Sequence, residues 1–207
     1  MIIIDHPQGS EEWLASRSGI ATASCFADVM AVIKSGEAAS RRNYRAKLVV
    51  ERLTGKPVKG FVTKAMEQGT EREPLARVAY EAETGNSVSE VGLCRHDTLE
   101  CGASPAGLIG DKGGLEIKCP ELATHLEYLR LKTVPAEYFW QVQGGLWITG
   151  REWWDFVSFN PDFPENLQLA VRRVQRDEDA IKRLSAEVAR FMDEVRAEAD
   201  AFCLEAA

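Results

Sequence analysis

Histidine is scarce in this chain, and its cysteines keep apart. Three histidines (His6, His96, His125) and five cysteines (Cys25, Cys94, Cys101, Cys119, Cys203) are spread over 207 residues. No C-x-x-C pair occurs and no histidine has zinc-ligand spacing, so a zinc site is not expected. The scattered thiols read as small, reduced core residues of a cytosolic protein. No run of about 18 apolar residues exists, which argues against a membrane span. Met1-Ile2-Ile3-Ile4-Asp5-His6 lacks the basic start and long apolar core of a secretory signal. Repeats, low-complexity tracts and linkers are missing too, and the length suits one single-core domain over residues 1–207. Positive charge is in deficit: 25 Lys and Arg stand against 32 Asp and Glu, a net charge of −7. That balance argues against a protein that coats nucleic acid with a general basic surface. It leaves room for a ring or cleft with its cations inside. The cations do cluster, at Arg41, Arg42, Arg45 and Lys47, followed by Lys56, Lys59 and Lys64. Taken alone, such a cluster is also what a solvated helix face looks like.

What is present is an ordered series of helix and strand signals. Helices are expected over Glu11 to Ser16, from a Thr22 or Ser24 cap past Met30, from Ser40 to Gly55, and from Thr63 to Thr84 with Gly85 as the stop. Strands follow around Ser87 to Cys94, Leu99 to Ala103, Gly107 to Ile109 and Leu115 to Cys119. Helices are expected again over Glu121 to Leu131 and Pro135 to Ile148, then strands over Trp153 to Phe159 and Leu167 to Val174. Asp177 caps a long final helix. This order predicts an α/β (α+β) fold with a mixed central sheet flanked by helices, not a doubly wound one.

The strand Leu115-Glu116-Ile117-Lys118-Cys119 carries the chemistry. Alternation puts Glu116 and Lys118 on one face and the apolar residues on the other. A carboxylate beside an ammonium suits metal-assisted phosphodiester cleavage, in which the acid holds Mg²⁺ and the lysine orients water or stabilises phosphate charge. Alone, an E-x-K triplet is an ordinary solvated strand face. The nuclease pattern needs a second acid about ten residues upstream, across a hairpin, so that two carboxylates share an ion. The hairpin is there, with Gly107, Gly110, Gly113 and Gly114 around its turn; at the position of the acid stands Ala106.

Ser104-Pro105-Ala106-Gly107-Leu108 followed by Gly114-Leu115-Glu116-Ile117-Lys118-Cys119-Pro120 resembles the S-P-D-G-L…G-L-E-I-K-C-P signature of the phage lambda exonuclease family, the YqaJ-like viral recombinases within the PD-(D/E)xK nucleases. The spacing matches without a gap, and the resemblance runs from about Trp13 to Phe159. The departure is Ala106, where the family has a metal-binding aspartate, and a methyl group replaces no hard oxygen ligand. Either the chain is a natural pseudo-nuclease or an aspartate was changed to alanine; the intactness of every other motif favours the change.

The resemblance implies a Mg²⁺-dependent (or Mn²⁺-dependent) 5′→3′ exonuclease with a restriction-endonuclease-like sheet, releasing 5′-mononucleotides from double-stranded DNA ends. It implies Glu116, the Ile117 carbonyl, Glu73 and an acid at position 106 as metal ligands, Lys118 as the group that positions hydroxide, and Gln141 at the edge of the site. Arg17, Ser24 and Ser104 map onto the family's 5′-phosphate pocket. Lys64 and Met66 map onto the approach to the DNA junction, where an apolar side chain wedges between base pairs. The basic cluster Arg41, Arg42 and Arg45 would track backbone phosphates in a channel. A homotrimeric ring and a single-strand annealing protein as partner are implied in the same way. Ordinary roles compete at several positions: Glu73 as a surface acid paired with Arg77, Ser24 as a helix cap, Met66 as a core residue.

Overall fold

The computed structural model describes residues 1–58, 60 and 63–205 and builds them from nine strands and seven helices. Lys59 lies outside the described residues. The chain opens with β1 (Ile2–Ile4), α1 (Glu11–Ser16) and β2 (Ala21–Thr22), then passes through a 3₁₀ turn into α2 (Phe26–Val29), α3 (Ala39–Thr54) and α4 (Lys64–Thr84). Five strands follow: β3 (Val88–Ser89), β4 (Leu93–Arg95), β5 (Cys101–Ala103), β6 (Gly107–Ile109) and β7 (Gly113–Lys118). Then come α5 (Leu122–Arg130), α6 (Phe139–Thr149), β8 (Trp153–Phe159), β9 (Leu169–Gln175) and α7 (Glu178–Glu205). The helix boundaries obey local chemistry. Thr63 Oγ1 accepts from the Met66 amide to start α4, and Gly55 and Gly85 end α3 and α4 in the left-handed conformation. Asp177 Oδ1 accepts from the Ala180 amide to start α7.

The strands form two mixed sheets. One has the order β1-β4-β5-β2 and the other β3-β6-β7-β8-β9. The second holds the E-x-K strand, with β7 antiparallel to β6 and parallel to β8. Helix α6 packs between the two sheets and lines its buried face with Val142, Leu146 and Ile148. Helix α7 lays Leu184, Val188, Phe191 and Val195 onto α3 and α6. Gly144 and Gly145, costly inside a helix, mark close approach: a Cβ at Gly144 would overlap Phe26, and one at Gly145 would overlap Trp154.

Several expectations need correction. The strand expected over Ser87 to Cys94 is two strands in different sheets, separated by Gly92, where a Cβ would strike the backbone of Ile4 and His6. The helix expected from Thr22 or Ser24 is only a 3₁₀ turn and a four-residue helix; Thr22 sits in β2, and neither side chain caps. The short strands β1 and β2 carry no readable period. No described helix is long and apolar enough to cross a membrane.

The largest correction concerns Arg41 and Arg45. Both border a cleft between α3 and α7, but their guanidinium groups are already paired. Arg41 is buried and donates to Glu37, Glu187 and Glu194, the last through both terminal nitrogens at 2.7 and 3.0 Å. Arg45 pairs with Glu37 and with Glu198 at 2.9 Å. Their forks are taken by carboxylates of α7 and of the loop before α3, so they are not free to hold phosphates; hydrogen bonds to Glu194 above all hold the Arg41 guanidinium well above its ordinary value. Arg42, turned about 100° from Arg41 around α3, is exposed.

A second tie is neutral. His125, wholly buried on α5, accepts from Ser158 Oγ at 2.7 Å and donates Nε2–H to the Leu167 carbonyl at 2.9 Å, which satisfies an uncharged imidazole.

Arg41→Ala should cost about 2–4 kcal/mol, since it strands carboxylates that are only partly solvated. Arg42→Ala should stay within about 0.5 kcal/mol. Urea midpoints compare them, and equal midpoints would contradict the tie. Burial lowers the His125 pKa below 6.5. The unfolded chain therefore binds a proton first as pH falls below that value, so stability is present above it and is lost on acidification towards the folded-state pKa. Unfolding measured between pH 7 and pH 5 should show this slope, and His125→Gln should flatten it.

Candidate active site

Strand β7 delivers Glu116 and Lys118 to one face, as two-residue alternation requires. Glu116 is buried and Lys118 partly so. Lys118 Nζ lies 2.8 Å from Glu116 Oε1, and Gln141 on α6 donates to the same oxygen at 2.6 Å. Burial works against the Lys118 ammonium, yet Glu116 more than offsets it, and the pKa stands above its ordinary value. Tyr138 adds its ring face 4.8 Å from Nζ. The Lys118 head group is thus held between the Glu116 carboxylate and the Tyr138 ring, placed to orient water or phosphate.

Glu73 approaches from α4. Burial pushes its carboxyl up, Arg77 opposes, and the charge of Glu116 pushes it further. Arg77 donates to Glu73 at 3.1 Å and pairs with Glu90 at 2.7 Å. Glu73 keeps the surface-type pairing with Arg77 and also borders two clefts of the site. One holds Met66, Ile117, Lys118 and Tyr138; the other holds Ala106, Trp13 and Gln8. Met66 is exposed, which removes the core reading for it, and Lys64 is exposed at the first residue of α4.

Arg17, Ser24 and Ser104 come together with Glu116 and Gln141 around one small pocket. These residues lie far apart in sequence: Arg17 follows α1 directly, the 3₁₀ turn carries Ser24, and Ser104 follows β5. Arg17 donates to Thr22 Oγ1 at 3.4 Å, and burial lowers its pKa, the signature of a guanidinium short of counter-charge. In place of the helix expected from Thr22 or Ser24, a 3₁₀ turn and a four-residue helix stand beside the pocket.

Two residues of this pocket were without an assigned role. Trp13 donates Nε1–H to Ser104 Oγ at 3.1 Å, and its ring lies 4.0 Å beneath the Arg17 guanidinium. It stands in the same motif as Arg17, which was the available signal. Gln8 donates to the carbonyls of Val91 at 3.0 Å and Pro105 at 2.7 Å, pinning the turn that carries Ala106. Its partners are backbone atoms, so the sequence held no signal for it.

The donor set does not complete a site for Mg²⁺. That ion takes near-octahedral oxygen ligands, usually one or two carboxylates with phosphates and water. Glu116, Glu73 and the Ile117 carbonyl are the donors the resemblance names, and position 106 adds a methyl group. Among the described residues, no three His, Cys, Asp or Glu side chains gather as metal ligands.

Residues 12–152 match the YqaJ-like viral recombinase domain. Among solved structures the chain is similar to the alkaline exonuclease LHK-Exo from Laribacter hongkongensis, at 44% identity, a TM-score of 0.88, and coverage of 95% of this chain and 98% of that one. A structure of LHK-Exo in complex with dAMP matches with the same values. A phage-related exonuclease from Haemophilus somnus 129PT shares the fold, at 15% identity, a TM-score of 0.64, and coverage of 86% of this chain and 96% of that one. No curated protein matches the chain. With well over half its length matched and a fold that superposes end to end on LHK-Exo, the chain belongs to the YqaJ-like viral recombinase family.

Proposed function

We propose that this protein is a 5′→3′ double-strand DNA exonuclease of the phage recombination type, in a form crippled at Ala106. The observation that carries the reading is the adjacency of two sites: an anion pocket of Arg17, Ser24 and Ser104 opens directly onto the Glu116–Lys118–Gln141 group. A 5′-phosphate seated in the first places the next phosphodiester near the second, which sets polarity and step size together. Arg17 supplies a guanidinium fork and the two serines supply hydroxyls. Lys118 is held beside Glu116, and Gln141 holds the Glu116 carboxylate in one orientation. The family's dependence on a divalent cation fits this arrangement only with an acid at position 106, since the donors present fall one short. LHK-Exo supports the product class, because it has been seen with dAMP, a 5′-mononucleotide.

The reading treats residues 1–207 as one nuclease unit acting on duplex ends. Family membership supports a homotrimeric ring that passes the 3′ strand to a single-strand annealing protein. Ala106 itself favours a second reading, a non-catalytic protein that binds DNA ends. A related endonuclease that cuts internally is the third.

Ala106→Asp should turn a nearly inert chain into one that digests linear duplex in the presence of Mg²⁺ and spares covalently closed circles. Gel assays of both proteins decide it. Strong digestion by the chain as it stands would remove the crippled form, an inert Ala106→Asp protein that still binds ends would favour the end binder, and cut circles would favour the endonuclease. The phosphate pocket has its own test in end binding. The chain should prefer 5′-phosphorylated over 5′-hydroxyl duplex, and Arg17→Ala should abolish that preference, on the order of 1–3 kcal/mol for a charge-assisted contact. Equal affinity of the unaltered chain for both ends would dismiss the pocket.

A further inference from the structure

Arg17 and Ser24 stand on one segment, residues 17–24, whose regular structure is the two-residue strand β2 and the start of a 3₁₀ turn. Pairing of so short a strand with β5 does little to fix the backbone around Arg17. Helix α3 supplies the rest of the hold. Its Glu51 accepts from the Gly19 amide at 2.8 Å through Oε2. Arg52, the next residue, donates Nε–H to the Gly19 carbonyl at 3.0 Å. Tyr44, two turns earlier, accepts from the Thr22 amide at 2.9 Å through its hydroxyl. Gly19 is therefore gripped at both its N–H and its C=O, two residues beyond Arg17. Its φ of +72° favours glycine, and a Cβ there would lie 3.0 Å from Arg52 Cγ.

Glu51 is the costly member of this clamp. It is only 5% exposed, and a carboxylate withdrawn from water is unfavourable unless its oxygens find donors. They find two backbone amides: Gly19 on Oε2 and Val58 on Oε1 at 3.0 Å, with Lys47 Nζ at 3.8 Å. The charge itself opposes the neighbouring site. Glu51 borders one space with Arg17 and Ser24, where a negative charge works against a bound phosphate. What the carboxylate contributes is its pair of acceptors, which tie the Arg17 segment to α3.

We propose that Glu51 is a positioning residue for Arg17: by gripping Gly19 it holds the guanidinium in place beside Ser24 and Ser104. The inference rests on the phosphate pocket of the proposed function. It adds to that pocket a buried residue that acts through the backbone.

Glu51→Gln tests it, because charge and positioning predict opposite signs. Glutamine keeps the size, removes the charge and offers one oxygen to two N–H donors. Loss of a negative charge beside the pocket would raise affinity for a 5′-phosphorylated end, whereas a loosened Gly19 lowers it. End binding is measured by fluorescence anisotropy with matched 5′-phosphorylated and 5′-hydroxyl duplexes. Glu51→Gln should lower the preference for phosphate by roughly threefold to tenfold and leave hydroxyl-end affinity unchanged. Gly19→Ala leaves the Glu51 charge in place and disturbs the same contact from the other side. It should lower the preference too, and it decides the matter if Glu51→Gln does not fold. An unchanged or raised preference in either folded variant would overturn the inference. Equal losses for both kinds of end would overturn it as well, since they mark general damage to the fold. An unaltered chain with no preference would bring down the phosphate pocket and this inference with it.

Discussion

The indole of Trp154 is the piece on which the site's geometry depends. It is buried where β7, β8 and α6 meet, and a Cβ at either Gly114 or Gly145 would overlap the ring. Two bare backbones therefore close on one aromatic ring, and the sheet and helix approach as near as that ring allows. The consequence follows from periodicity. Glu116 is two residues beyond Gly114, on the same face of β7, and Gln141 is four residues before Gly145, on the same face of α6. The packing that seats Trp154 thus brings the Gln141 amide to the Glu116 carboxylate at 2.6 Å. Trp154 Nε1 finds no partner among the described residues, a cost of roughly 1–3 kcal/mol that close packing must offset.

Charge is organised around the same principle of occupation. Several cations that look available in the sequence are engaged: Arg41 and Arg45 by acids of α7, Arg77 by Glu73 and Glu90, Arg52 by Glu100 at 2.7 Å, Arg173 by buried Asp155 at 2.8 Å. Arg17 is the contrast. It is largely withdrawn from water, lies on Trp13 and touches only a hydroxyl at 3.4 Å. An arginine so placed, beside two hydroxyls in a small pocket and without a carboxylate partner there, is suited to accept an anion from outside.

Much of this was legible from residues alone. Alternation in Leu115 to Cys119 placed Glu116 and Lys118 together, and the cap at Thr63 and the stops at Gly55 and Gly85 bounded α3 and α4 as read. The mixed sheet followed from element order, and Gly144-Gly145 announced a close contact whose partners, Phe26 and Trp154, only the fold reveals. The failures share a cause. Strands of two or three residues, such as β2 and β4, are shorter than any period that could identify them. A helix face such as that of Arg41 and Arg45 reads as solvated or basic until its partner arrives, and that partner lies 153 residues away. Gln8 escaped notice because it binds carbonyls, which every residue carries.

That long separation has a consequence for how the chain matures. Arg41 and Arg45 meet Glu187, Glu194 and Glu198, and Tyr44 stacks on Phe191, only once the last helix has been made. During synthesis, α3 waits with a bare apolar stripe, and Arg41 and Arg45 have only the local Glu37 to pair with, until α7 has emerged. Loops closed across such distances make folding slow and leave apolar surface open to association in the meantime. The final helix, which carries none of the chemistry, acts as the latch that allows the N-terminal half to become native.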